Sequence, residues 1–78
     1  MREKTRKLIV TFHTTTAAMA MEKACHANGT PGRLIPVPRE ITAGCGMSWS
    51  APPEARANVE QTAKDAGIQP AGFYELIV

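Results

Sequence analysis

The sequence predicts an α+β domain in which one four-stranded antiparallel sheet carries two helices on a single face, the elements running βαββαβ. Three observations predict it. Apolar, β-branched runs alternate with two alanine-rich segments of helical period. Each alanine-rich segment opens on a hydroxyl or a proline and closes on a glycine. The second apolar run carries two prolines so spaced that it fits only the edge of a sheet.

The first strand is "KLIVTF" (7–12), with Leu8, Val10 and Phe12 on one face and Ile9 and Thr11 on the other. The first helix is "TTTAAMAMEKACHANG" (14–29), capped by Thr14 or Thr15 and closed by Gly29. Its apolar stripe is Ala17, Met21, Ala24 and Cys25, at i, i+4, i+7 and i+8. The second strand is "RLIPVP" (33–38). Pro36 and Pro38 are two residues apart, so their missing N–H groups point the same way, and that way must be solvent. "REITAGCG" (39–46) is loop and "GMSWSA" (46–51) a third strand, on which Trp49 packs against the sheet. The second helix is "PPEARANVEQTAKDAG" (52–67), with Pro53 in its first turn, Glu54 at its positive end and Gly67 at its close. Its stripe is Ala55, Val59, Thr62 or Ala63, and Ala66. "GFYELIV" (72–78) is the fourth strand.

Right-handed crossovers for both helical connections within one sheet give the ferredoxin-like arrangement, whose strand order 4-1-3-2 puts the proline-bearing strand at an edge. The expected core is Leu8, Val10, Phe12, Met21, Ala24, Leu34, Val59, Ala63 and Ile77.

Seventy-eight residues make a single domain, here 1–78 with 1–6 as a basic N-terminal end. Hydrophobic residues make up 44% of the chain but only 5% are aromatic, so the core is thin and a homodimer is expected. The net charge of +2 is nearly balanced, although Arg2, Lys4, Arg6 and Lys7 crowd the start. No basic stripe interleaved with aromatics follows, which argues against nucleic acid. No apolar run is long enough for a membrane span and no secretory signal is seen, so two cysteines imply a reducing, cytoplasmic setting.

The cysteines read differently. Cys25 falls on the apolar stripe towards the bottom of the sheet and behaves as a small hydrophobe. Cys45 lies between Gly44 and Gly46 in the loop at the top, beside the end of the first strand and the start of the first helix. Glycine neighbours leave its sulfur uncrowded. Arg39 on the same loop, the helix dipole and turned backbone N–H groups all favour thiolate, and His13 is within reach as a base or thiolate partner. A Cys25–Cys45 disulfide would have to span the helix, ~20 Å against a Cα limit near 7 Å. There is no CxxC pair, and His13, His26 and the cysteines are not at zinc-finger spacing, so no metal and no cofactor are expected.

The run "LIPVPREITAGCGMSW", preceded by the opening strand and "TTTAAMAMEK", resembles the selenium/sulfur (Se/S) carrier-like proteins along most of the chain. The matching positions are Val10, Thr11 and Phe12, then Leu34 to Arg39, then Cys45 with Gly46. The resemblance implies a carrier that holds a sulfane sulfur or selenium on Cys45 as a persulfide or selenosulfide. Its implied partners are TusA-like sulfur carriers or cysteine-desulfurase-type enzymes acting as donors and acceptors. Such a protein is a carrier rather than a stand-alone enzyme. The competing reading is a non-catalytic ferredoxin-like interaction or regulatory module in which Cys45 is incidental.

Overall fold

A computed structural model describes residues 5–41 and 45–77. Strand β1 (Arg6–Thr11) leads into helix α1 (Thr15–Asn28). Strands β2 (Arg33–Pro36) and β3 (Met47–Ala51) follow, then a 3-10 turn (Pro53–Ala55), helix α2 (Arg56–Asp65) and strand β4 (Gly72–Ile77). The four strands form one sheet in the order β2-β3-β1-β4, all pairings antiparallel. This is the expected ferredoxin-like topology, with β2 at one edge and β4 at the other.

The ends of α1 follow from its sequence. Thr14 takes an extended conformation and its hydroxyl accepts the Ala17 N–H at 3.0 Å, while Gly29 turns left-handed and closes the helix. The second helix starts tighter than expected: Pro53 fixes a single 3-10 turn before the α-helix proper begins at Arg56.

The core unites Leu8, Val10 and Phe12 with Ala18, Met21 and Cys25 of α1 and with Val59 and Ala63 of α2. One face of β1 therefore meets both helices. Several expected core positions shift. Ala18, not Ala17, is the buried first residue of the α1 stripe, and Ala24 is half-buried. On α2, Thr62 and Ala63 are both buried, whereas Ala66 ends the helix exposed. Leu34 is half-buried at the β2 edge. Ile77 is 62% exposed because it pairs with Arg6 at the far end of β1, itself an exposed residue.

Trp49 is the largest fully buried side chain, and a particular glycine makes room for it. At Gly32, with φ 131°, a Cβ would lie 2.5 Å from both the Ser50 carbonyl oxygen and Trp49 Nε1. The indole N–H donates to the Pro31 carbonyl at 3.3 Å, so the ring packs edge-on across this glycine with its polar atom satisfied. Between the helices, the Thr62 hydroxyl donates to Asn58 O at 2.8 Å, which leaves Thr30 Oγ1 as the donor in the 2.6 Å contact between Thr30 and Thr62.

The opposite face of the sheet is not an open apolar surface. Ile9 and Thr11 at its centre have no exposure, and their neighbours across β3 are the small polar residues Ser50 and Ser48.

Candidate functional site

Strand β2 ends at Pro36, short of the expected Pro38, and the two prolines flank a residue that ties down the chain next to Cys45. Val37, between them, donates its N–H to Gly46 O at 3.0 Å, continuing the β2–β3 ladder in register. Neighbouring residues of a strand direct their backbone groups to opposite sides. Pro36 and Pro38 therefore face solvent at the outer edge, where a missing N–H leaves no ladder bond unmade.

Cys45 is held from the other side by β1. Its N–H donates to Phe12 O at 3.0 Å. The Cys45-Gly46 pair is thus clamped between the ends of β1 and β2, just before β3 begins. Gly46 takes φ 97°, a left-handed conformation that a side chain would strain, and a Cβ there would meet open space. Phe12 lies two residues before the cap of α1, so the cysteine backbone is fixed beside the start of that helix. The thiol is partly exposed. Its sulfur lies 3.8 Å from Met47 O, and the rest of the side chain packs on the rim of the core.

Cys25 is its opposite. It is a free thiol with no exposure, and burial pushes its pKa from 9.0 up to about 11. Neutral and enclosed, it stays a packing group at physiological pH.

The other residues expected at the site are arranged as follows. His13 is exposed, and its side chain lines an open cleft with Lys64, Ile68 and Phe73 between the end of α2 and β4. Among the described residues, no hydrogen bond joins it to Cys45. Arg39 is exposed in the turn that Ile41 closes by donating its N–H to Pro38 O at 2.9 Å, and Ile41 itself is buried. Gly44 lies outside the described residues. The carbonyls of Phe12 and Met47 and the Val37 N–H were not singled out in the sequence. The first and last could have been found from the topology, since 45–46 must sit between β1 and β2. The Met47 contact has no sequence signal. Among the described residues, no group of three or more His, Cys, Asp or Glu is placed to hold a metal ion. No helix there is long and apolar enough to cross a membrane.

Fold and site together define a ferredoxin-like α+β domain that presents one partly exposed cysteine, fixed by its main chain at the helix-start end of the sheet. The chain belongs to the family described as "Putative Se/S carrier protein-like", whose model matches residues 7–75 and so includes every residue of this site. No match was found among curated proteins or among solved structures.

Proposed function

We propose that the protein carries sulfane sulfur or selenium on Cys45 and hands it to an acceptor protein. What carries the reading is the contrast between the two thiols, combined with membership of the family. One cysteine is partly exposed on a rigidly held backbone, whereas the other is sealed in the core with its pKa raised to about 11. In loading, the Cys45 thiolate attacks the outer sulfur of a donor persulfide. A new S–S bond forms, the donor's own S–S bond breaks, and the donor leaves as a thiolate. Delivery repeats the exchange with an acceptor thiolate as nucleophile and Cys45 as leaving group. No redox cofactor is needed, because the sulfane sulfur moves at constant oxidation state.

The clamp on the Cys45 backbone suits this role. It holds the Cys45 main chain beside the start of α1, so that the thiol is presented to an approaching protein thiol from a defined position. The experiment is loading from a low-molecular-weight persulfide followed by reductive release of sulfide. Wild type and Cys25→Ala should load and release one sulfur per chain, and Cys45→Ser none. Equal release from Cys45→Ser and wild type would leave the protein an interaction module in which Cys45 is incidental.

A further inference from the structure

The two edges of the sheet are not equivalent. Along β2 and the residues that continue its ladder through Val37, those facing outward include Pro36 and Pro38, which cannot donate to an incoming strand, so this edge is closed to pairing. On β4 the outward residues follow from the bonds of β1. Phe12 O points to the β3 side, where it accepts from Cys45, and Thr11 O points to the β4 side, where it accepts from Ala71 at 2.7 Å. The odd-numbered residues of β1 therefore face β4. Their partners Gly72, Tyr74 and Leu76 are the β4 residues bonded inward. Phe73, Glu75 and Ile77 direct their N–H and C=O groups outward. This edge holds no proline and no lysine, and it exposes 37% of Tyr74 and 62% of Ile77.

Beside it sits Arg56. Its guanidinium lies 5.2 Å from the centroid of the Phe73 ring, donates to Glu60 at 2.8 Å, and reaches to 3.9 Å from Glu75.

We propose that β4 pairs antiparallel with β4 of a second copy of this chain about a two-fold axis at Tyr74, joining the two sheets into one of eight strands. Charge selects this register. An axis at Glu75 would set the two Glu75 carboxylates directly opposite each other, which is destabilising. An axis at Leu76 sets Glu75 opposite Ile77 and leaves Phe73 and Arg56 outside the pairing. An axis at Tyr74 sets Phe73 opposite Glu75 of the second copy, twice over. Each Arg56, already lying on Phe73, then has the second copy's carboxylate before it. The outward groups of Phe73 and Glu75 form two reciprocal hydrogen-bonded pairs, and on the other face Leu76 comes opposite Gly72, over which the Tyr74 ring already leans. The inference is independent of what Cys45 carries, since that site is clamped by β1 and β2.

The register makes the test specific. Opposed residues at the non-hydrogen-bonded position have Cα atoms ~4.5 Å apart, within disulfide range. Tyr74→Cys in a Cys45→Ser background should trap a covalent dimer under mild oxidation, whereas Glu75→Cys and Leu76→Cys should not. Glu75→Pro removes an outward N–H together with the carboxylate that faces Arg56, and no bond of the β1–β4 ladder, so it should keep the monomer fold by circular dichroism and weaken association in sedimentation equilibrium by about tenfold or more. Arg56→Glu should weaken association too, and adding Glu75→Arg should restore it. The proposal is overturned if the wild type stays a monomer at high micromolar concentration, if Glu75→Pro associates as well as wild type, or if Glu75→Cys or Leu76→Cys traps faster than Tyr74→Cys.

Discussion

Burying Cys25 couples the stability of the domain to alkaline pH. The folded pKa is raised from 9.0 to about 11 by desolvation, and the unfolded chain returns the thiol to water. For a group whose folded pKa is raised, stability is full below the unfolded value and is lost as pH climbs through the folded one. From pH 8 to pH 10 the unfolded thiol ionises while the folded one stays neutral. The loss from this group alone is about 1 kcal/mol by pH 10, approaching ~3 kcal/mol well above pH 11. The effect is read as a difference between two proteins that share every other ionisable group. Urea unfolding of wild type and Cys25→Ala at pH 8 and pH 10 cancels the shared groups and the pH-independent cost of the substitution. Wild type should lose about 1 kcal/mol more than Cys25→Ala between the two pH values. An equal loss in both proteins would refute the reasoning and mean that Cys25 is reached by water in the folded state.

Gly32→Ala combines a φ of 131° with a Cβ 2.5 Å from the Ser50 carbonyl and the Trp49 indole; it should cost about 3 kcal/mol or more in urea unfolding and shift the Trp49 emission. Thr62→Val removes the acceptor of the buried Thr30 hydroxyl and should cost about 1–2 kcal/mol, measured by thermal melting, with Thr30→Val in the same background recovering part of the loss.

Element type and order were legible because β-branched runs and alanine-rich helical periods are separated here by unambiguous stops: Gly29, the proline pairs and Gly67. The edge position of β2 was legible from Pro36 and Pro38, since a missing N–H excludes a central strand whatever else surrounds it. The phase of α1 was less so. In a helix where Ala17, Ala18, Ala20 and Ala24 fall on several faces, apolarity barely distinguishes inside from outside, and it is Ala18 that packs with Met21 and Cys25 in the core. Ile77 was misplaced because alternation gives its face but not its exposure at the end of the strand, where it pairs with the exposed Arg6. The dependence of Trp49 on Gly32 joins the middle of β3 to the residue before β2, and nothing local in "TPGR" announces it. Cys45 was placed beside Phe12 by topology alone. Its half-burial depends on how the side chain leans on the core rim, which no sequence pattern encodes.

Whether Cys45 carries the sulfur is decided by peptide-resolved mass spectrometry of the native protein after incubation with a persulfide donor. One added sulfur is expected on the peptide containing Cys45 and none on the peptide containing Cys25, whose thiol is buried and neutral. Added sulfur on Cys25, or on neither cysteine while both react in the unfolded chain, would contradict it.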